Sequence, residues 1–144
     1  MRHFLTTEDW SRGELQALLD RAKALKAGAS SNALAGKSIA LVFFNPSLRT
    51  RSSFDIGATQ LGGHAIVLDA KGATWPMEFA DGAVMDGDEE EHVREAARVL
   101  SRYVDLIMIR TFGQEIIDRF AAHSRVPVIN GLTNEYHPCQ VLAD

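Results

Sequence analysis

A single cysteine, Cys139, is the only thiol in the 144-residue sequence. An intrachain disulfide framework is therefore excluded, and a reducing compartment is compatible with the chain. No apolar run approaches the ~18–20 residues of a membrane span. The opening MRHFLTTEDW carries charge from its second residue and lacks the apolar stretch of a signal peptide. The expectation is a cytoplasmic protein without a membrane partner. Positive charge is not in excess either. A net charge of −4 removes the electrostatic case for nucleic acid or an anionic surface, so any anion site has to be local. Both glycine-rich phosphate fingerprints are missing, the G-x-x-x-x-G-K-[ST] loop and the G-x-G-x-x-G dinucleotide turn. Repeats and low-complexity tracts are absent too; AGASSNALAG is a loop.

What is present reads as one domain with a sizeable core, 46% hydrophobic and 24% charged. Thr6-Thr7-Glu8-Asp9 predicts a helix start, a threonine cap with acids in the first turn. Leu15, Leu18, Leu19, Ala22 and Leu25 follow at helical spacing. KSIALVFF is a strand-length apolar run suited to burial on both faces. A helix opens at Ser47, with Phe54, Ala58 and Leu61 on one side and Gly62-Gly63 as its stop. HAIVLDA predicts a second strand. The connection from 71 to 88 has no clear period, and loops of that length often carry function. A helix from about Glu89 to Tyr103 lines up Val93, Ala96, Ala97 and Leu100, with Glu89, Glu90 and Glu91 in its first turn. VDLIMIR, GQEIIDRFAAHS and VPVIN predict strand, helix and strand, and NEYHPCQVLAD opens a last helix. Such alternation predicts a three-layer α/β/α domain on a four-stranded parallel sheet. Ligands of such sheets sit at the carboxyl ends of the strands. Ser47–Arg51, Arg110 and His137–Gln140 all fall there.

The stretch FFNPSLRTRSSF puts two arginines and four hydroxyls where a buried strand turns into a helix. Pro46 fixes the turn and Ser47 can cap the helix. First-turn N–H groups lack intrahelical partners and the dipole end is positive, so an anion fits. Arg49 adds a charged fork and Thr50 a hydroxyl. The same residues also suit an ordinary capped helix with a solvated arginine face. Arg110, His137 and Gln140 each have an equally plain structural reading when taken singly. Cys139 reads as a packed thiol. Trp75 reads as a loop side chain folded on its own core or as a flap reaching a ligand. MDGDEEEH lacks the order of a calcium loop and reads as a solvated acidic helix start, so no metal site is expected.

Taken together, NPSLRTRSSF resembles the Ser-x-Arg-Thr-Arg carbamoyl-phosphate motif of the aspartate and ornithine carbamoyltransferases, and HPCQ resembles their His-Pro-x-Gln motif. QLGGHAIVL and the strand-end Arg110 fit the same pattern, and the likeness covers essentially the whole chain. Leu48 stands where the usual motif has threonine, at a position that mainly offers a backbone N–H. The resemblance implies a carbamoyltransferase without cofactor or metal. Ser47, Leu48, Arg49 and Thr50 would hold the phosphate of carbamoyl phosphate. Arg110, Thr50 and His137 would meet the carbamoyl oxygen, and Gln140 the carbamoyl NH₂. Arg51 would brace the loop or form a salt bridge. The loop TWPMEFADGAVMDGD with EEEH resembles the N-acetylornithine enzymes of arginine biosynthesis. There Trp75 would reach the neighbouring subunit's site in a homotrimer, and Glu90 would favour the acetylated over the succinylated substrate. NGLTNEYHPCQ is closer to plain ornithine enzymes, with Glu135 the nearest acid that could hold substrate. The family has a second, amino-acid-binding domain. Residues 1–144 correspond to the carbamoyl-phosphate-binding domain alone and are expected not to catalyse efficient transfer by themselves.

Overall fold

A computed structural model of the chain describes residues 1–70, 77–78 and 91–144. Its elements are α1 (Arg12–Lys26), β1 (Ser38–Phe43), α2 (Leu48–Gln60), β2 (His64–Asp69), β3 (Met77–Glu78), β4 (Glu91–His92), α3 (Val93–Tyr103), β5 (Leu106–Arg110), α4 (Gln114–His123), β6 (Val128–Leu132) and α5 (Pro138–Ala143). The main sheet is four-stranded in the order β2-β1-β5-β6, and every pairing in it is parallel. The expected three-layer α/β/α architecture is what forms.

β1 shows why. Its side chains alternate between two cores. Ile39, Leu41 and Phe43 join Ala58, Met108 and the partly buried Phe54 on the α2 side. Ala40 and Val42 join Val93, Ala97, Leu100, Ile117 and Phe120 on the side of α3 and α4. A strand buried on both faces reads as a continuous apolar run, and SIALVF is one. The outer edge of β6 is covered at its start by the N-terminus: Phe4 N–H donates to Val128 O at 2.8 Å, and Asn130 N–H to Phe4 O at 2.9 Å.

Two helix starts differ from expectation. α1 begins at Ser11, not near Thr6. Ser11 Oγ accepts from Glu14 N–H while Glu14 reaches back to Ser11 N–H at 2.8 Å, a reciprocal capping box. Thr6 instead closes a local turn, its Oγ1 accepting from Glu8 N–H at 3.1 Å. α3 begins at Val93, not near Glu89, because Glu91 and His92 pair in parallel with Met77 and Glu78. His92 is its cap, with Nδ1 accepting from Arg94 N–H at 3.1 Å. Glu91 is thus a strand residue rather than a first-turn acid.

The chain leaves β1 towards β2 on one side and returns through α3 to β5 on the other. The crevice at the carboxyl ends of β1 and β5 is the place where the strand order reverses, and ligands of open α/β sheets bind there. Phe43 and Arg110 are register partners at that end.

Candidate anion-binding active site

Ser47 enters α2 in extended conformation, φ −154° and ψ 120°, and its Oγ accepts from Thr50 N–H at 3.3 Å. That cap orders the first turn of α2 and aims its N–H groups at the crevice. Thr50, in the first turn, is half-buried. Across the crevice, Arg110 at the last position of β5 donates from Nη1 to Thr50 Oγ1 at 2.9 Å. Because Thr50 Oγ1 accepts from the guanidinium, its own proton is free to point at a ligand. Arg110 Nε and His137 Nδ1 are buried with no hydrogen-bond partner among the described residues.

His137 caps α5 from φ −138° and ψ 69°, without a side-chain cap bond, and Pro138 follows it. Burial first, and the charge of Arg110 second, hold its pKa below the usual 6.5. The ring is therefore neutral at pH 7 and presents one N–H donor. Gln140 lies one turn further and donates from Nε2 to Asp144 Oδ1 at 2.7 Å.

These groups face a single cleft of about 770 Å³, lined by Ser47, Leu48, Arg49, Thr50, Arg110, His137 and Gln140 together with Pro46, Ser53, Phe54, Leu132, Cys139 and Ala143. The structure thus brings together every motif residue proposed for carbamoyl phosphate except Trp75. Among the described lining residues there is no carboxylate, while two guanidinium groups and a helix start are present. Such a lining suits an anion, on a chain of net negative charge.

Trp75 and Glu90 lie outside the described residues, as does most of MDGDEEEH. Glu135 is described and is exposed outside the cleft lining, in a turn where its N–H donates to Thr133 Oγ1 at 3.3 Å. Arg51 points away too: its Nη1 lies 3.7 Å from Asp69 Oδ2, an exposed ion pair between α2 and the end of β2. Cys139 is half-buried, and burial pushes its thiol pKa up to about 11. The residues that sequence reasoning missed are Ser53 and Phe54 on the second turn of α2 and Leu132 at the end of β6. The helical offset from Thr50 could have pointed to Ser53 and Phe54. Nothing local to Leu132 marks it.

Fold and site together define an α/β domain with a cleft suited to a small anion at its strand ends. The chain belongs to the aspartate/ornithine carbamoyltransferases: their carbamoyl-P binding domain matches residues 2–144. It is 54% identical to an N-acetylornithine carbamoyltransferase of Xanthomonas campestris pv. campestris, across 99% of this chain and 45% of that protein. Identity to an ornithine carbamoyltransferase of Cupriavidus taiwanensis is 51%, across 100% of this chain and 44% of the relative. An acetylornithine transcarbamylase crystallised with acetylcitrulline superposes with a TM-score of 0.94 at 55% identity, over 99% of this chain and 46% of that one. The chain spans about 45% of the length of such relatives.

Proposed function

We propose that the protein carrying this chain transfers the carbamoyl group of carbamoyl phosphate to the δ-amine of N-acetyl-L-ornithine, releasing N-acetylcitrulline and phosphate, within arginine biosynthesis. One observation carries the reading. The capped N-terminus of α2, Arg110 and His137 converge on one cleft, with a 2.9 Å contact between Arg110 and Thr50 across it. Phosphate sits on the α2 N–H groups, Ser47, Arg49 and Thr50. The carbamoyl oxygen faces the donors Arg110, Thr50 and His137. As the amine attacks the carbonyl carbon, negative charge builds on that oxygen. Preorganised donors stabilise it by about 2.7–4 kcal/mol each. The attack forms the new C–N bond; collapse restores the carbonyl and breaks the C–O bond to phosphate, which leaves with its electron pair and takes up the proton that the amine loses. Gln140 orients the carbamoyl NH₂, and positioning of the two substrates supplies much of the remaining rate.

Residues 1–144 form the carbamoyl-phosphate-binding half of this protein, and the partner half binds the amino acid. The working protein is a cytoplasmic homotrimer in which Trp75 reaches the adjacent site, and Glu90 selects the acetylated substrate. The exposure of Leu48 and Ile56 on α2, 82% and 57%, supports a subunit contact beside the cleft.

A second reading, transfer to unacetylated ornithine, is favoured by NGLTNEYHPCQ and by relatives of that name at 51–52% identity. The succinylated substrate is the third candidate. Side-by-side assays of the full-length protein with N-acetylornithine, N-succinylornithine and ornithine separate them. Preference for N-acetylornithine is expected. Preference for ornithine transfers the assignment to the second reading, and no transfer to any of the three overturns the function.

A further inference from the structure

Among the described residues His137 has no hydrogen-bond partner on Nδ1, and it makes no side-chain cap bond. The backbone on either side of it therefore matters to its aim. On one side Pro138 is fully buried and restricts the backbone of His137. On the other is the turn Thr133–Tyr136, and that turn is organised around one buried hydroxyl.

Thr133, 5% exposed, accepts on Oγ1 from the N–H of Tyr136 at 3.0 Å and of Glu135 at 3.3 Å. Its own N–H donates to Tyr136 O at 2.9 Å. Its hydroxyl proton goes to Oε1 of Gln114 at 2.7 Å. Gln114, 8% exposed at the start of α4, is itself fixed because its Nε2 donates to Asp118 Oδ1 at 2.9 Å. The neighbouring Asn134 N–H donates to Phe112 O at 2.7 Å, two residues beyond Arg110. One residue pair upstream, the β5–β6 register slips between Ile109 and Arg110, so Gly131 is the extra residue of a bulge. A Cβ on Gly131 would lie 2.4 Å from Met108 Sδ and 3.1 Å from Ile109 O. Bulges beside sites re-aim the chain that follows. Here the chain that follows is the turn and His137.

We propose that Thr133, held by Gln114, is a positioning residue that sets His137 against Arg110 in the transfer step. The proposal rests on the carbamoyl-transfer reading above. Thr133→Val keeps the shape and removes the hydroxyl, freeing the turn at Tyr136 without substituting any cleft-lining residue. In the full-length enzyme it lowers kcat about 10- to 100-fold, the scale of a misplaced catalytic group, with KM for carbamoyl phosphate little changed. Thr133→Ser restores the rate. In a His137→Ala background the same Thr133→Val change has almost no further effect, because the group it positions is gone. Equal losses in both backgrounds, or a loss confined to KM, overturn the proposal. Should Thr133→Val not fold, Gln114→Met removes the acceptor from the other side and carries the same cycle. The His137 ring resonances supply a readout independent of turnover: they shift in Thr133→Val and return in Thr133→Ser. Unchanged resonances overturn the positioning role. Absence of transfer in the unaltered enzyme would instead overturn the function, leaving the resonances to decide the positioning.

Discussion

The guanidinium of Arg110 leaves the sheet at the last residue of β5, gives one N–H to Thr50 and keeps Nε buried without a partner among the described residues. A buried donor with nothing to donate to is costly unless a ligand completes it. The same charge acts on His137, whose pKa is held down by burial first and by Arg110 second. The sign follows from linkage. The folded pKa lies below the usual 6.5, so the unfolded chain takes up the proton first. The stability contributed by the neutral ring is present above pH 6.5 and is lost as pH falls through 6.5 towards the folded value. Arg110→Met removes the second cause but not the first. The His137 titration midpoint, followed by NMR in the full-length protein, is expected below 6.5 and should rise in Arg110→Met while Arg110→Lys leaves it low. An unmoved midpoint would show that the guanidinium does not act on the ring. The same Arg110→Met change removes one donor proposed for the oxyanion and should lower kcat by about 10²–10³-fold.

At the scale of elements, α1 shows how two cap signals compete. Thr6 to Asp9 has the residue types of a helix start. Ser11-x-x-Glu14 satisfies two orphan N–H groups at once, and the helix begins there. Arg2 donates to the Glu14 carboxylate and, with Ser11, pulls its pKa from 4.5 to about 2. The cap therefore persists above the unfolded value and weakens only as pH falls from 4.5 towards 2. Ser11→Ala is expected to cost about 1 kcal/mol of local stability. Hydrogen exchange of the first-turn amides of α1 should then quicken about five-fold, since each 1.4 kcal/mol is about a factor of ten. Unchanged exchange would mean that the box contributes nothing. This start was legible in the sequence as S-x-x-E but was masked by the earlier threonines. The start of α3 was not, because the parallel pairing of Met77–Glu78 with Glu91–His92 joins segments that no local pattern relates. The site elements were more legible. Ser47 and Pro46 announce the start of α2 by their own chemistry, and Arg110 and His137 close apolar or turn segments. The Gly131 bulge and the Thr133–Gln114 bond were invisible, because both depend on what lies opposite in space.

Across the whole molecule, helix–strand alternation predicts the parallel sheet, while the order β2-β1-β5-β6 depends on which strands lose both edges to neighbours. The apolar stripe of α1 shows a further limit of periodicity. Leu15, Leu19 and Leu25 are only half-buried, Leu18 is 38% exposed and no residue of α1 is buried, so the stripe meets no core among the described residues. The cleft is one-sided in a chemical sense as well. Among the described residues, its lining offers donors suited to an anion and carries no carboxylate. Residues 1–144 expressed alone are expected to bind inorganic phosphate or carbamoyl phosphate, measurable by calorimetry, because Ser47, Arg49, Thr50 and Arg110 all belong to the segment. Transfer by the same segment should be at least about 10⁴-fold slower than by the full-length protein, since orienting two reactants accounts for effective molarities of about 10⁵–10⁸ M. Phosphate binding without turnover places the acceptor site in the remaining half. Turnover within tenfold of the full-length rate would show that residues 1–144 alone orient both substrates.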